Sequence, residues 1–536
     1  MTDHVELRRG VYHDSVTLLR IAQVAAGTDG VTAAQVAMAT ELNIDLTVGL
    51  GFSVPGDAGP NALLVAIRGD DESAVAAGLA AVEQALTAAS DAGRQAGGVG
   101  APPPPRSVRS AARTAPEAAV VLLSIPGPSV LGEAMDAIEA GRHVMIFSDN
   151  VPLDHEVVLK DAAAAAGVIV MGPDCGTAVI GGVGLGFANV LSHQRSDGTG
   201  VGVIAASGTG AQQLTSLLDE AGVAISQVIG VGGRDLTERV GGRSALAALA
   251  LLDGDPHTDH IVVISKPPHL ATGRAVTTAA AAVSTPVTPV LLGEGRPDIT
   301  TAVGTVLGVL GVPVPSWPRW SPAPSSTGSG SSPDAGGALR GLFSGGTLAD
   351  EAMLVIEQAL GTPIRSNIPL RPELALPAAA LGRGVPELAG LGTVIIDLGD
   401  DEFTRGRPHP MIDPTVKLEL LTAQAADPHV RVVLLDVVLG HCAEIDPSAR
   451  LAPAIAAALA VAGNDNRALD IVVSLCGTAG DPQDRDAQAG ALVAAGAQVF
   501  ASNAAAARAA AAIAAGRRPA GHRAVAGASA GTRTVD

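Results

Sequence analysis

Cysteine is scarce in this sequence. Cys175, Cys442 and Cys476 are the only three in 536 residues, too few for a disulfide framework, which points to a reducing compartment. Aromatic residues are nearly as rare, with two Trp, one Tyr and six Phe. That excludes a base-stacking platform for nucleic acid and means that the cores are built from Ala, Val, Leu and Ile. Basic residues are outnumbered, 34 Lys and Arg against 53 Asp and Glu, for a formal charge of −19. Such a chain binds a polyphosphate backbone poorly, although backbone amides can still hold a small anion locally. No apolar run reaches the roughly 18 residues of a membrane span. The N-terminus, MTDHVELRR, is charged where a signal peptide needs an apolar core. The expectation is a cytoplasmic protein acting on small anionic substrates, with neither nucleic acid nor membrane as a partner.

Hydrophobic residues make up 47% of the chain, enough to bury several cores at this length. Two Pro/Gly/Ser-rich stretches, 95–106 and 313–337, read as linkers. The expected organisation is a small α+β domain at 1–95, a Rossmann-like unit at 107–195, an α/β domain at 196–312, a linker at 313–338, another α/β domain at 339–515 and a flexible tail at 516–536. In the first, the β-α-β…β-α order over 5–12, 15–26, 31–39, 62–68 and 72–89 fits a ferredoxin-like sandwich. Beyond it, short Val/Ile runs at 119–125, 143–148, 168–171, 200–205, 227–231, 260–264 and 287–292 read as buried parallel strands. Runs at 393–398, 430–438, 470–475 and 497–500 repeat the style. The helices between them imply right-handed crossovers.

Two segments share one local grammar. VGVIAASGTGAQQLTSLLDEAG (201–222) runs from an apolar strand into Ser207, Gly208, Thr209 and Gly210, then into an amphipathic helix. GLFSGGTLADEAMLVIEQAL (341–360) repeats this with Ser344, Gly345, Gly346 and Thr347. Small residues let amides approach a ligand, and a helix start carries about half a positive charge. Each is a capped helix after a tight turn or half of a phosphate cradle. DLGDDEFTRGRPHPMID (397–413) collects five acids, two Arg and a His. Arg405 and Arg407 suit a bidentate clamp on a carboxylate. His409, stiffened by Pro408 and Pro410, suits acid/base work or phosphoryl carriage, and Asp400 and Asp401 are candidate substrate contacts. The alternative is a loop neutralised by its own ion pairs. Gly232, Gly233 and Arg234 end a strand at the edge where such sheets bind ligands, with Arg234 as an anion contact. Cys175 sits in a turn after a strand, as a packing residue or a pocket-edge contact. No His/Cys spacing suits a structural metal site.

These phrases resemble a known family. MGPDCG (171–176), the strand-Ser-Gly-Thr-helix unit and IGVGG (229–233) look like the α-subunit of succinyl-CoA synthetase and its ATP-citrate lyase relatives. SGGT (344–347), IIDLGDD (395–401) and VRVVLLDVVLG (430–440) resemble the C-terminal ligase domain of the β-subunit. Nearly the whole chain resembles the FdrA family, whose phrases read here as GPDCGTAVIGGVGLGFANV, ISQVIGVGGRDLTERVGG, GLFSGGTLADEAM and IIDLGDDEFTRGRPHPMIDP. The resemblance implies a Rossmann-like CoA-binding-type unit, two flavodoxin-like ligase-type domains, and two "power helices" meeting around a phosphate. CoA is a candidate ligand, with Ile125, Pro126, Gly127 and Pro128 and the 172–176 turn as the pocket edge.

The departures carry as much information. No Gly-His-Ala-Gly-like phosphohistidine loop is found, and after residues 261–264 the chain reads Ser265-Lys266-Pro267-Pro268-His269. No ATP-grasp domain and no Gly-Phe-Thr-Gly-type CoA turn are recognisable. A cradle without a carrier implies a substrate bearing its own phosphate, such as an acyl or carbamoyl phosphate. The family's association with allantoin and oxalurate breakdown makes carbamoyl phosphate and oxamate the favoured pair. The alternatives are an acyl-CoA synthetase completed by an ATP-grasp partner, and a non-catalytic scaffold subunit working with other subunits or as a homo-oligomer.

Overall fold

A computed structural model describes every residue except 12, 14, 60, 96–104, 194–199, 323–335, 378–387, 405–407 and 518–536. Most of the first expected linker, half of the second and most of the expected tail lie outside the described residues. The first 95 residues form an antiparallel sheet with Ala62–Gly69 between Thr2–Arg9 and Val31–Met38. The helices Ser15–Ala26 and Glu72–Gln95 pack together and bury Leu18, Ile21 and Val82 against it. Next comes a three-stranded parallel sheet of Val120–Leu123, His143–Ile146 and Val170–Met171.

Two larger sheets position the site. One has the order Val287–Leu291, Thr258–Ser265, Gly200–Ala206, Ile225–Gly230, Thr177–Ile180, Val183–Gly186. Its first four strands are parallel, and an antiparallel hairpin closes the edge. That hairpin was not among the strands expected from the sequence, because its Gly-rich VIGGVGLG lacks a sustained apolar run. It lies before residue 195 yet pairs with the sheet that follows. The other sheet has the order Arg319–Trp320, Gln498–Phe500, Asp470–Cys476, Val430–Val438, Ala338–Phe343, Val394–Asp397, Arg365–Ser366. It is parallel apart from the Arg319–Trp320 edge. Its Val430–Val438 strand is buried along its length except at Arg431, as a strand covered on both faces must be.

Strand order decides where ligands can go. Gly200–Ala206 is followed in the chain by a neighbour on one side and then by neighbours on the other. Ala338–Phe343 likewise sits between later strands on both sides. Each is a topological switch point, where an open α/β sheet leaves a crevice beyond its strand ends. The helices Gly208–Glu220 and Gly346–Leu360 start at these two points.

A buried interface joins the two sheets. Asn189 donates to the Leu439 carbonyl (3.0 Å) and to Asp481 (2.8 Å), and Gln212 donates to the same carbonyl (3.1 Å). Gln213 donates to the Ala501 carbonyl, and Arg485 pairs with Glu220. All residues from Gly210 to Asp219 are buried, because this helix lies between the two halves rather than on a surface. Among the described residues no helix is long and apolar enough to cross a membrane.

Candidate functional site

The two helix starts touch. A Cβ built on Gly345 would lie 2.6 Å from Thr209 Oγ1, and one built on Gly210 would lie 3.1 Å from the Thr347 methyl. Gly345 is glycine because the opposite helix start leaves no room for a side chain. Ser207 caps its helix, its Oγ accepting from the Gly210 amide at 3.0 Å. The amides of Gly208, Thr209, Gly346, Thr347 and Leu348 donate to no described residue. Such orphan donors, with the positive ends of two helices, favour an anion.

Each start opens on its own surroundings. Beside Gly208 is a small cavity lined by Cys175, Thr177, Ser207, Gly232 and Gly233. Thr177, only 5% exposed, has a hydroxyl with no hydrogen-bond partner, and a Cβ on Gly208 would lie 3.3 Å from it. An unpaired buried hydroxyl is costly, and a bound anion would satisfy it. Thr177 escaped sequence reasoning because its hairpin gave no strand signal. Burial pushes the Cys175 thiol up to about 12, so it stays protonated and lines the cavity without thiolate reactivity. Gly232 has φ +88°, and a Cβ there would meet the Pro173 carbonyl at 2.5 Å.

The turn before Gly346 is pinned by a buried ion pair. Asp436 accepts from the amides of Ser344 (2.7 Å) and Gly345 (3.0 Å). Lys417 Nζ donates to Asp436 Oδ1 (2.6 Å), to its carbonyl (2.7 Å) and to Ser344 Oγ (2.6 Å). The Ser344 hydroxyl is therefore committed to structure. The signal for this was a lone acid inside the apolar run VRVVLLDVV; a charge buried there requires a partner.

His409 stands behind this turn. Its Nδ1 accepts from the Met411 amide (3.3 Å), so in the neutral ring Nε2 carries the proton. Burial lowers it to about 4, so the ring is neutral at pH 7. A Cβ on Gly399 would lie 2.8 Å from Nε2, and the ring packs 5.8 Å from Phe187 of the other half. Asp400 accepts from the Glu402 amide (3.1 Å), and Asp401 opens the short helix Asp401–Thr404. Arg405 and Arg407 lie outside the described residues. Arg234 donates to the Val151 carbonyl (2.9 Å) and pairs with buried Glu156 (3.0 Å), which directs it toward the fold's own acid.

Two further acids border the second helix start. Asp397 accepts from the Gly399 amide (2.9 Å), and its other oxygen would lie 2.7 Å from a Cβ on Gly346. Burial raises Asp397 to about 7 and Asp350 to about 7, the latter opposed by the Lys266 charge. For Asp350 the folded value exceeds that of the unfolded chain, so the folded state holds the extra proton below about pH 7. Its contribution to stability is present at low pH and lost as pH rises through about 7. Asp350→Asn is thus expected to raise the thermal midpoint more at pH 8 than at pH 5.5; equal gains at both would contradict this.

Comparisons with known proteins find family models and relatives for this chain. The family model described as CoA-ligase matches residues 342–513, and the one described as "AllF, heavy metal-associated domain" matches 1–102. The sequence is 34% identical over 512 residues to the uncharacterized protein YahF of Escherichia coli, covering 92% of this chain and 95% of that one. It is 27% identical over 146 residues to the succinate–CoA ligase α-subunit of Methanothermobacter thermautotrophicus, covering 27% of this chain and 47% of the relative. The ATP citrate lyase of Methanothrix soehngenii, solved with citrate and coenzyme A, aligns over 35% of this chain and 31% of its own at 18% identity and a TM-score of 0.32. The heavy-metal description does not fit the residues present: residues 1–102 contain no cysteine, so no thiolate is offered to a soft metal.

Proposed function

The chain belongs to the FdrA family of acyl-CoA-synthetase-like enzymes, and on that premise we propose that it transfers an acyl or carbamoyl group between a phosphate-bearing species and an acceptor. The phosphate lies between the starts of Gly208–Glu220 and Gly346–Leu360. The favoured pair is carbamoyl phosphate and oxamate, in a reducing cytoplasm. The observation that carries this reading is the contact of Thr209 with Gly345, which brings five unclaimed amides to one place. The acceptor nitrogen attacks the carbonyl carbon, the carbon–oxygen bond to phosphate breaks, and phosphate leaves with the electron pair. Fixed amides and helix dipoles aimed at that developing charge are worth several kcal/mol. Neutral His409 offers an Nε2–H to the carbonyl oxygen, and Asp397, raised to about 7 by burial, can take the proton from nitrogen. Holding both bound substrates as neighbours supplies much of the remaining rate through orientation.

A second reading is an acyl-CoA ligase whose nucleotide site comes from a partner subunit. It is favoured by the CoA-ligase match at 342–513. Calorimetry of the full chain separates the two, with inorganic phosphate as reference. Carbamoyl phosphate binding without CoA binding is the expected result. Tight CoA binding with no response to carbamoyl phosphate would overturn it in favour of the ligase, and no binding of any of the three would leave a scaffold subunit.

A further inference from the structure

The chain contains only three lysines. Lys160 is buried between Glu156 (2.9 Å) and Asp235 (2.7 Å), and Lys417 is buried on Asp436. Both hold the fold together. Lys266 is the third. It is exposed, and its ammonium makes no ion pair or hydrogen bond with any described residue. In a chain that otherwise meets solvent with Arg among its bases, an unpaired lysine at one position calls for a reason.

Its position supplies one. Lys266 follows the parallel strand Thr258–Ser265, at the strand-end edge where open α/β sheets bind ligands. It lines a cleft of about 270 Å³ with Leu236, Glu238, Ser265, Pro267, Pro268 and His269. Gly233 lines both this cleft and the cavity at Gly208, so the two are adjacent. A Cβ on Gly233 would lie 4.0 Å from Lys266 Nζ. The Lys266 charge also acts on Asp350 of the helix Gly346–Leu360, opposing the rise that burial causes there.

From this we infer that the cleft is the acceptor subsite and takes a short molecule with a terminal carboxylate held on Lys266. This rests on the reading that phosphate occupies the helix starts. Ligand clefts typically span about 300–1,000 Å³, so this one suits a molecule of a few carbons rather than a whole nucleotide or CoA. Pro267, Pro268 and Leu236 form apolar walls for its short body. A compact ammonium gives one strong charge-assisted hydrogen bond to the carboxylate. The far end of the molecule then lies beside Gly233, next to the phosphate.

The test uses oxamate and succinate as carboxylate probes and oxamide as the uncharged control, titrated into the full chain. Lys266→Gln is expected to weaken carboxylate binding at least tenfold, to leave oxamide unchanged and to keep inorganic phosphate affinity within twofold. Lys266→Arg is expected to retain most of the affinity. Lys266 is exposed and makes no hydrogen bond or ion pair with any described residue, so both variants should fold. Carboxylate affinity within twofold of wild type in Lys266→Gln would overturn the subsite, as would failure of both carboxylates to bind the wild-type chain. A wild type that binds carboxylates through Lys266 yet ignores phosphate would instead refute the cradle and leave the subsite standing.

Discussion

Gly208→Asp is expected to abolish phosphate binding while leaving the protein folded. Gly208 opens the helix Gly208–Glu220 and lines the cavity with Thr177 and Ser207. A carboxylate there suits the helix, because an acid in the first turn complements its dipole. The nearest atom to a new Cβ is the Thr177 hydroxyl at 3.3 Å, and a hydroxyl can rotate to donate to the new oxygen. For phosphate the change is severe. Two unit charges about 4 Å apart repel by about 4 kcal/mol at the effective dielectric of a partly buried site, or roughly a thousandfold in affinity. Gly208→Asn has nearly the same shape without the charge and is expected to keep most of the binding. Calorimetry with inorganic phosphate reads both variants, and the thermal midpoint checks the fold. Phosphate affinity in Gly208→Asp within threefold of wild type would remove phosphate from this helix start.

Lys417→Met is expected to give the largest loss of stability. It removes the cation from a site where Asp436 is fully buried and Lys417 is 3% exposed. Breaking a buried pair by deleting one partner costs about 3–5 kcal/mol. The damage should also reach binding, since Asp436 sets the turn through the amides of Ser344 and Gly345. Removing both charges with Lys417→Met and Asp436→Leu should restore only part of the stability, because those two amides then lose their acceptor. Urea midpoints of the single and double variants measure this, and a single-variant loss below about 1 kcal/mol would show that the pair does not hold the turn. Phosphate affinity follows the same variants and should fall with the turn.

Local chemistry in the sequence determined a good deal about this protein. Alternating short Val/Ile runs and amphipathic helices established α/β units, because strand and helix periods are properties of neighbouring residues. The Ser-Gly-Thr-Gly and Ser-Gly-Gly-Thr turns identified both helix starts for the same reason: a cap and a close backbone approach need small residues at those positions. The scarcity of aromatics dictated aliphatic cores, seen in clusters such as Leu342, Val433, Leu435 and Val473. Only the tertiary structure decided that Thr209 meets Gly345, since the contact depends on how two sheets pack through Asn189, Gln212 and Asp481. The same holds for Lys417 beneath Ser344, for the Thr177 hydroxyl, unpaired among the described residues, and for Lys266 beside Gly233. Each joins residues far apart in the chain, and no local period or turn preference encodes such a meeting. Packing alone decides which buried charge finds a partner.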